Sequence, residues 1–475
     1  MPPLQSCLYV RDQVTGYRQP RKGLHVMTVS LVILAAGQGS RMESDLPKVL
    51  HPLGAVPLVV HAMRAGQALE PACTVVVVGH GAERVAHVVT EENPEARIVT
   101  QDTQLGTAHA VDQARDVLAD QSGEVVVLYG DTPFIRSETL KNMLAARRRY
   151  DIVVLGFDAV EPGRYGRLVT QGDTLERIVE YKDATEAERA ISRCNSGVIC
   201  ADCATLFDLI SEVGCENAAG EYYLTDIVAL ARSKGLSAGV VTCAESETLG
   251  INTRAELAQA EADLQARMRT EALENGVTLT APDTVFFAQD TVIGRDATVE
   301  PFVVFGPGVT VESGAQIRAF SHLEGAHVST GAVVGPYARL RPGTELAEDV
   351  RIGNFVEIKN AELGEGAKVN HLSYVGDATV GARANLGAGT VTCNYDGVFK
   401  HRTDIGEGAF IGSSTMLVAP VRVGAEAMTG SGSVITSDVP DGALALGRAR
   451  QDTKLGLGKR LMDRLRASKS TKGQG

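Results

Sequence analysis

Residues 293–324 read IGRDATVEPFVVFGPGVTVESGAQIRAFSHLE, and an apolar residue returns in this stretch at every sixth position. These apolar residues are Ile293, Val299, Phe305, Val311, Ile317 and Leu323. Four positions after each of the first five stands a small or β-branched residue, namely Ala297, Val303, Val309, Ala315 and Ser321. A six-residue period sustained over this length indicates a β-helix, in which each flat face takes one short strand and the apolar residue points into the stack.

The same period returns three times further along the chain. It resumes at Val334, Leu340, Leu346, Ile352 and Ile358, then at Val369 and Val375, and finally at Ile405, Ile411, Leu417 and Val423. Residues 391–404, VTCNYDGVFKHRTD, break the period, and we predict a projecting loop there. The pattern therefore predicts a β-helix domain over residues 277–450, followed by a basic tail over residues 451–475.

A helical pattern precedes the β-helix. Residues 253–276 read TRAELAQAEADLQARMRTEALENG, and Thr253 with Glu256 has the spacing of a capping box. Apolar residues then recur at helical intervals as far as Met268, and Asn275-Gly276 is a stop signal. We predict one long linker helix over residues 253–276.

Residues 27–252 alternate strand-like and helix-like segments. Three continuous apolar runs are CTVVVVGH (73–80), GEVVVLYGD (123–131) and YDIVVLGFD (150–158). Such runs are typical of strands buried on both faces of a parallel sheet. The sequence predicts an α/β domain with a Rossmann-like, mostly parallel sheet, in which ligands bind at the carboxyl ends of the strands.

Bulk properties exclude several classes of protein. The formal net charge of −12 argues against a nucleic-acid binder, and no apolar run approaches the ~18 residues that a membrane span requires. Residues 1–26 are basic but have no apolar core, so we expect an N-terminal extension rather than a secretory signal. The eight cysteines have no metal-binding spacing, and reduced thiols predict a cytoplasmic protein.

A glycine-rich turn follows the first predicted strand, in LAAGQGSRMESDLPKVL (34–50). A dinucleotide fingerprint would need a third glycine at Met42, and the G-K-[ST] of a P-loop is also missing. Glycines let backbone N–H groups approach a polyphosphate closely. Arg41 and Lys48 place positive charge where a phosphoryl-transfer transition state gathers negative charge.

This turn resembles the signature of sugar-phosphate nucleotidylyltransferases. With the hexapeptide repeats behind it, the chain from Met27 resembles the family of bifunctional N-acetylglucosamine-1-phosphate uridylyltransferases and glucosamine-1-phosphate acetyltransferases. The resemblance implies a left-handed β-helix, Mg²⁺ for uridylyl transfer, and UTP and acetyl-CoA as co-substrates. It implies two further substrates, glucosamine 1-phosphate and N-acetylglucosamine 1-phosphate.

For uridylyl transfer, the resemblance implies a UTP and sugar site drawn from several motifs. Asp131 and Asn252 would be the magnesium ligands, and Arg41 and Lys48 would act on the phosphates. The remaining implied residues are Leu34, Ala35, Ala36 and Gly37 for the phosphates, Gln101, Gly106 and Thr107 for uracil, Tyr129 and Gly130 beside the metal, and Gly166, Glu180 and Asn195 for the sugar.

For acetyl transfer, the motifs RLRPG, FVEIKNAELG, NHLSYVGD, NLGAGT, TCNYDG and IGSST carry the resemblance. Val369 and Val375 point inward in the repeat, so His371 between them should point outward. The resemblance makes His371 the general base and Glu357 a residue that orients it. It further implies Arg341 and Lys359 for the sugar phosphate, Tyr374 and Asn385 for the sugar, and Ala388, Asn394, Tyr395, Ser413, Ser431 and Arg448 for acetyl-CoA. Asn370 and Ser431 depart from the family pattern, which has glycine and alanine there.

The resemblance also implies a homotrimer, with each acetyl-transfer site shared between neighbours. Two other interpretations stay open at this point. One is a nucleotidylyltransferase whose β-helix only oligomerises or regulates, and the cluster of His371, Asn385 and Tyr395 argues against it. The other is a regulatory subunit without catalysis, which the intact Arg41, Lys48 and Asp131 disfavour.

Overall fold

The computed structural model describes residues 28–472, so the predicted extension at 1–26 and the last three residues of the predicted tail lie outside it. The chain forms two compact units. The first contains the described residues up to Leu50 together with Leu58–Gly250, and the second contains His51–Pro57 and the residues from Ile251 onward. In this described part, no helix combines the length and apolar character that crossing a membrane requires.

The first unit is built on one twisted sheet flanked by helices. Its strands lie in the order β11-β7-β10-β6-β1-β4-β5, with the hairpin β8–β9 attached to β10. The elements of residues 28–250, which include a short hairpin β2–β3 of the second unit, are β1 (Val29–Ala35), β2 (Pro52–Leu53), β3 (Val56–Pro57), α1 (Leu58–Gln67), β4 (Cys73–Val78), α2 (Ala82–Glu92), β5 (Arg97–Thr100), α3 (Thr107–Asp112), α4 (Arg115–Leu118), β6 (Glu124–Tyr129), α5 (Ser137–Ala146), β7 (Ile152–Asp158), β8 (Arg167–Gln171), β9 (Thr174–Val179), α6 (Glu186–Arg189), β10 (Arg193–Asp202), α7 (Cys203–Ile210), α8 (Asp226–Ser233) and β11 (Ala238–Cys243).

The centre of this sheet explains where a ligand can bind. Strand β1 is parallel to both of its neighbours, β4 and β6, and all three are buried apolar runs as predicted. The chain order reverses at β1, because β4 and β5 continue on one side and β6 lies on the other. Crevices at the carboxyl ends of strands beside such a reversal are the usual ligand sites of open α/β sheets. The predicted mostly parallel α/β fold is confirmed.

The second unit begins with the predicted long helix, α9 (Arg254–Glu274). The side chain of Thr253 accepts a hydrogen bond from the backbone N–H of Glu256 (3.1 Å), and the carboxylate of Glu256 accepts one from the N–H of Thr253 (3.0 Å). This is the capping box that the sequence predicts. The buried amide of Gln265 bonds to both backbone groups of Phe287 (2.7 and 2.8 Å), which fastens the helix to the first coil behind it.

The rest of the second unit is the predicted left-handed parallel β-helix. Strand β13 pairs with β16, β14 with β17 and β15 with β18, so every third strand stacks and the coil has three faces. The strands and the final helix are β12 (Thr278–Leu279), β13 (Val292–Ile293), β14 (Thr298–Val299), β15 (Val304–Phe305), β16 (Thr310–Val311), β17 (Gln316–Ile317), β18 (His322–Leu323), β19 (Ala326–Val328), β20 (Val333–Val334), β21 (Arg339–Leu340), β22 (Thr344–Leu346), β23 (Arg351–Asn354), β24 (Glu357–Leu363), β25 (Lys368–His371), β26 (Tyr374–Val380), β27 (Asn385–Leu386), β28 (Val391–Cys393), β29 (Thr403–Ile405), β30 (Phe410–Ile411), β31 (Met416–Val418), β32 (Val421–Val423), β33 (Met428–Thr429), β34 (Val434–Ile435), β35 (Leu444–Ala445) and α10 (Leu457–Lys472).

The core of the β-helix consists of the residues that the six-residue period selects. Val299, Ile317 and Leu323 are fully buried, and so is Ala297 among the small residues between them. Each coil therefore adds a thin layer of apolar side chains to one continuous core. Val391–Cys393 and Thr403–Ile405 are strands, so the loop that breaks the period spans residues 394–402, fewer than the 391–404 predicted.

One corner of the β-helix carries a ladder of stacked aromatic rings. Phe302, Phe320, Tyr337 and Phe355 follow one another in successive coils with ring centroids 4.8–5.3 Å apart. Each of these residues has a positive φ between 56° and 60°, a conformation that bulky side chains rarely adopt. Ring stacking along the corner offsets part of that backbone strain.

Candidate functional site

The glycine-rich turn lies at the carboxyl end of β1, where several predicted segments meet. Gly39 has a φ of 63°, and a Cβ added there would lie 2.4 Å from Cβ of Lys48. Only glycine therefore lets the turn fold back onto the Pro47–Lys48 segment. The carbonyl of Ala36 accepts hydrogen bonds from the backbone N–H of His80 (3.3 Å) and from the side chain of Gln104 (3.4 Å). The turn is thus tied to the ends of the neighbouring strand β4 and of β5.

Lys48 and Asp131 form an ion pair in this crevice, although 83 residues separate them in the sequence. Their side chains are only 12% and 18% exposed. Asp131 follows β6, and the N–H of Gly130 bonds to the carbonyl of Leu34 in β1 (2.9 Å). The predicted phosphate-binding lysine and the predicted magnesium-binding aspartate therefore occupy the same spot. The ammonium group of Lys48 neutralises the carboxylate of Asp131 in this crevice.

In the segment predicted to recognise uracil, Gln101 is buried and Gly106 and Thr107 are half-buried. The amide of Gln101 donates to the carbonyl of Gly106 (3.1 Å) and contacts the Nδ1 atom of His109 (3.0 Å). Gly106 has a φ of 117°, and a Cβ there would lie 2.5 Å from the carbonyl oxygen of Tyr222. The hydroxyl of Thr107 accepts a hydrogen bond from the N–H of Leu224 (2.9 Å). This network holds the start of α3 beside the crevice.

Tyr129 connects the nucleotide part of the site to the sugar part. Burial raises the pKa of its hydroxyl, the negative charges of Glu180 and Asp131 raise it further, and a hydrogen bond with Thr107 partly offsets these effects. The ring of Tyr129 also packs against Gly197, where a Cβ would lie 2.6 Å from the ring. One aromatic side chain therefore bonds to Thr107 of the uracil segment and packs against Gly197 in β10, and the charges of Asp131 and Glu180 act on it.

The predicted sugar residues lie on the β8–β9 hairpin and on β10. Gly166 faces the carboxylate of Glu180, because a Cβ on Gly166 would lie 3.3 Å from Oε1. The carbonyl of Gly166 accepts a hydrogen bond from the N–H of Asn195 (2.8 Å), and Asn195 is buried where β10 bulges. The structure therefore brings all three residues together. It adds Thr225, whose hydroxyl bonds to Glu180 (3.3 Å) and which no sequence motif had indicated.

The surroundings of Glu180 disfavour the ionised form of its carboxyl, so a neutral side chain at this position should stabilise the fold. Burial raises the pKa of its carboxyl, the hydrogen bond from Thr225 partly lowers it, and the charges of Asp226 and Asp183 raise it again. The pKa of Glu180 is therefore higher in the native state than in the unfolded chain. At pH values between these two pKa values, the native state binds more protons than the unfolded chain. The contribution of Glu180 to stability therefore falls as the pH rises through that window.

We expect Glu180→Gln to raise the melting temperature at pH 7 by a few degrees, since about 1 kcal/mol moves the midpoint of a domain of this size by ~2–4 °C. At pH 4, where the native glutamate is largely protonated, the gain should disappear. Calorimetry of both proteins at the two pH values checks this. Exposed Glu186→Gln is the control, and an equal gain at both pH values would contradict the assignment.

Two other predicted residues of this site are placed differently. Arg41 is exposed at the rim of the crevice, in the 3-10 turn Ser40–Met42, whose last residue is buried. Asn252 belongs to the second compact unit, where its backbone N–H donates to the carboxylate of Glu256 (2.6 Å). Within residues 28–472, no cluster of three or more His, Cys, Asp or Glu residues could hold a metal ion. Asp131 nevertheless suits Mg²⁺, which commonly takes one or two carboxylates and completes its shell with substrate phosphates and water.

The acetyl-transfer residues of the β-helix include one vertical column. Strands β23, β25, β27, β30 and β33 stack in this order. Two positions after the buried residue of each strand stands one member of the column, namely Asn354, His371, Ala388, Ser413 and Ser431. Backbone hydrogen bonds join consecutive members, from Leu372 to Asn354 (3.1 Å) and from Gly389 to His371 (3.1 Å). The predicted base and the predicted cofactor residues thus form one continuous edge.

His371 is exposed, as its place in the repeat predicts. Its Nδ1 atom lies 3.1 Å from Oδ1 of Asn354 in the preceding coil. Because an amide oxygen can only accept, Nδ1 is the donor in this contact, and the neutral imidazole then has its lone pair on Nε2, which is the form a general base needs. Glu357, predicted to orient His371, instead accepts a hydrogen bond from Arg341 (2.8 Å). Asn354 takes the orienting place, and its position one coil before His371 was the signal that could have revealed it.

The column also contains a close backbone approach at Ser413. A Cβ on Gly387 would lie 2.5 Å from the backbone nitrogen of Ser413, and a Cβ on Gly412 would lie 2.5 Å from that of Ser431. Glycine at these positions keeps the edge narrow and leaves the N–H groups accessible to a ligand. Arg448 follows β35, the next strand of the same stack, and is exposed.

The predicted phosphate and sugar residues lie on the adjoining face. Arg341 bonds through its N–H to the carbonyl of Ile358, and Lys359 stands at the equivalent place one coil later. The ammonium group of Lys400 lies beside Lys359 and lowers the pKa of Lys359, and Arg341 and slight burial act in the same direction. The positive charges of Arg341, Lys359 and Lys400 favour the binding of an anion at this place. Lys400, in the loop that breaks the period, is a residue that sequence reasoning missed.

The remaining predicted residues lie around this cation cluster. Tyr374 begins β26 beside Glu357 in β24, and its hydroxyl crosses Gly376, where a Cβ would lie 2.3 Å away. The amide of Asn394 reaches the same hydroxyl (3.5 Å). Asn385 begins β27, and the ring of Tyr395 is exposed with its hydroxyl bonded to the carbonyl of Gly397 (2.6 Å).

Known proteins match this chain over both of its compact units. Residues 31–198 match the family described as the MobA-like NTP transferase domain. A protein of Cereibacter sphaeroides named bifunctional protein GlmU is 70% identical over 445 residues, which cover 94% of this chain and 98% of that protein. Proteins of the same name from Paracoccus denitrificans and Ruegeria sp. are 67% and 64% identical and cover 93% and 94% of this chain, and 98% and 100% of their own lengths.

Among solved structures, the inositol-1-phosphate CTP transferase from T. maritima aligns with 50% of this chain and 97% of its own length, at 16% identity and a TM-score of 0.41. The full-length relatives are far more similar than this and match both compact units. On the strength of those relatives, the chain belongs to the GlmU family of bifunctional proteins.

Proposed function

We propose that the chain makes UDP-N-acetylglucosamine from glucosamine 1-phosphate in two reactions. The β-helix transfers the acetyl group of acetyl-CoA to the sugar amine, and the α/β unit then transfers the uridylyl group of UTP to N-acetylglucosamine 1-phosphate. The observation that carries this proposal is the separate gathering of two sets of groups. Lys48, Asp131 and Tyr129 meet at one crevice, and His371 lies with the predicted cofactor residues in a column on the β-helix.

In uridylyl transfer, the phosphate oxygen of the sugar attacks the α-phosphorus of UTP and pyrophosphate leaves. Both reactants are anionic, so the main task of the protein is to orient them and to offset their repulsion. Mg²⁺ held by Asp131 would neutralise charge on the phosphates. Lys48, released from Asp131, then turns its ammonium group to the same phosphates, and Arg41 adds a second cation from the rim.

The sugar part of this site uses the buried polar groups beside Tyr129. The carboxylate of Glu180 accepts hydrogen bonds from sugar hydroxyls, and the amide of Asn195 has its Oδ1 occupied by the N–H of Gly197 (3.0 Å), which leaves its NH₂ group to donate. The hydroxyl of Thr225 holds Glu180 in place. Because the phosphate of the attacking sugar is already ionised, no protein base is required.

In acetyl transfer, the amine nitrogen of glucosamine 1-phosphate attacks the thioester carbonyl of acetyl-CoA. Nε2 of His371 takes the proton that the amine loses as the C–N bond forms. The C–S bond then breaks and the thiolate of coenzyme A leaves. The backbone N–H of Ser413, kept accessible by Gly387, would donate to the oxyanion of the tetrahedral intermediate. Arg341, Lys359 and Lys400 bind the sugar phosphate.

We further propose that three copies of the chain assemble through their β-helices and complete one another's acetyl-transfer sites. The loop of residues 394–402 supports this proposal, because Tyr395, Val398 and Phe399 on it are 61%, 73% and 67% exposed. Sedimentation equilibrium at the concentrations used for assays should give the mass of a trimer. A monomer mass would refute the shared site.

An assay with omitted substrates tests the two activities. The protein is incubated with glucosamine 1-phosphate, acetyl-CoA, UTP and magnesium, and free thiol and pyrophosphate are measured. Without UTP, thiol should still appear and pyrophosphate should not. Without acetyl-CoA, N-acetylglucosamine 1-phosphate added directly should restore pyrophosphate. Absence of thiol in the complete mixture would favour a nucleotidylyltransferase whose β-helix only oligomerises.

A further inference from the structure

A carboxylate stands between two amides at one corner of the β-helix. Asn360, Asp377 and Asn394 occupy equivalent places in three successive coils, 17 residues apart. Nδ2 of Asn360 donates to Oδ1 of Asp377 (2.6 Å), and Nδ2 of Asn394 donates to the other oxygen, Oδ2. Asp377 is 8% exposed, so both hydrogen bonds are shielded from water. Asp377 is the last residue of the motif NHLSYVGD, but the resemblance assigned it no role.

The charge of Asp377 decides which way the amide of Asn394 points. The two ends of an asparagine amide have nearly the same shape, and only the partners distinguish oxygen from nitrogen. An ionised carboxylate can only accept, so it forces the NH₂ end of Asn394 towards itself. The carbonyl oxygen Oδ1 of Asn394 is thereby turned away from Asp377. The same NH₂ group also reaches the hydroxyl of Tyr374 (3.5 Å).

The surroundings keep Asp377 ionised. Burial works to raise the pKa of its carboxyl, but the hydrogen bonds from Asn360 and Asn394 and the charges of Lys359 and Lys400 outweigh it, and the pKa lies below its ordinary value. The carboxylate therefore stands between the cation cluster and the amide of Asn394.

We propose that Asp377 is a positioning residue for acetyl transfer: its carboxylate fixes the amide of Asn394 so that Oδ1 of Asn394 accepts a hydrogen bond from the sugar amine. This inference rests on the proposed acetyl transfer in the β-helix. The amine must present its lone pair to the thioester, and an acceptor for one of its N–H groups sets that orientation. An amide that flipped would present NH₂ to the amine, and two donors would face each other.

Asp377→Asn isolates this role from a structural one. Asp377 has a φ of 49°, a conformation that asparagine tolerates as well as aspartate, so the backbone is preserved. The asparagine introduced at 377 offers one oxygen acceptor and one NH₂ group, whereas the carboxylate offered an acceptor to both Asn360 and Asn394. Asn394 can then face it with either its NH₂ group or its oxygen. The double variant Asp377→Asn with Asn394→Asp restores one donor and one acceptor between the two residues and keeps an oxygen facing the amine.

We expect Asp377→Asn to lower kcat of acetyl transfer by about 10- to 10²-fold, with a much smaller change in KM for glucosamine 1-phosphate, because orientation of a bound reactant is lost. Uridylyl transfer and the melting temperature should stay near those of the unmodified protein. The double variant should recover part of the lost kcat. The control is Asp349→Asn, another aspartate with positive φ (56°) on the β-helix, whose carboxylate is exposed.

Two results would overturn the proposal. One is a kcat of Asp377→Asn equal to that of Asp349→Asn. The other is a loss of kcat that follows a fall in melting temperature, with the double variant restoring the melting temperature and not the rate. Acetyl transfer missing from the unmodified protein would instead refute the proposed function itself, so the two failures are distinguishable.

Discussion

Replacing His371 with alanine should lower acetyl transfer by ~10²–10⁴-fold and leave uridylyl transfer unchanged. The amine of the sugar must lose a proton as it attacks the thioester, and the Nε2 atom of His371 is the acceptor that the contact with Asn354 prepares. The imidazole is exposed on an edge of the β-helix, so its removal should leave the core unaffected. Thiol release from acetyl-CoA measures the loss, and pyrophosphate release measures the retained activity.

The control for this variant is His322→Ala. His322 is also exposed on the β-helix, on strand β18, and lies three coils before Tyr374 on the ladder that continues through Arg339 and Glu357. The His322→Ala variant should retain both acetyl transfer and uridylyl transfer. An equal loss of acetyl and uridylyl transfer in His371→Ala would show that the two sites are not independent.

Asp131→Asn should have the opposite effect, with uridylyl transfer reduced by roughly 10²–10³-fold, the size observed when one preorganised electrostatic group is removed. An amide is a weaker ligand for Mg²⁺ than a carboxylate and carries no charge to hold the cation between the phosphates. The substitution also removes the ion pair with Lys48. Acetyl transfer should not change, because its groups lie in the other compact unit.

Varying the magnesium concentration shows whether the loss acts through the metal. Asp131→Asn should require more Mg²⁺ for half-maximal pyrophosphate release than the unmodified protein does. Asp120→Asn, an exposed aspartate in the same unit, serves as the control. A normal magnesium requirement together with the reduced rate would remove Asp131 from the metal site.

Much of the fold could be predicted because it depends on local repetition. A flat face of two or three residues admits one inward side chain, so the six-residue period alone identified buried positions such as Val299 and Ile317. The capping box of α9 is equally local, since Thr253 and Glu256 lie three residues apart. The continuous apolar runs of β4 and β6 likewise indicated a sheet buried on both faces.

The contacts within the sites could not be predicted in the same way. Lys48 and Asp131 were each identified by type, but their pairing depends on the ends of two strands meeting across 83 residues. Asn354 and Asp377 act through coils of 17 residues, and the sequence does not show which outward side chains share a corner. The role of Glu357 in orienting His371 was implied by the family resemblance alone, whereas in the structure Glu357 pairs with Arg341.

Mixing two inactivated variants tests most directly the claim that one chain carries two separate sites acting in a fixed order. His371→Ala alone and Asp131→Asn alone should each form almost no UDP-N-acetylglucosamine from glucosamine 1-phosphate, acetyl-CoA, UTP and magnesium. The mixture should form it, because N-acetylglucosamine 1-phosphate made by Asp131→Asn reaches the intact α/β unit of His371→Ala. An inactive mixture, or either variant completing the synthesis alone, would contradict the account.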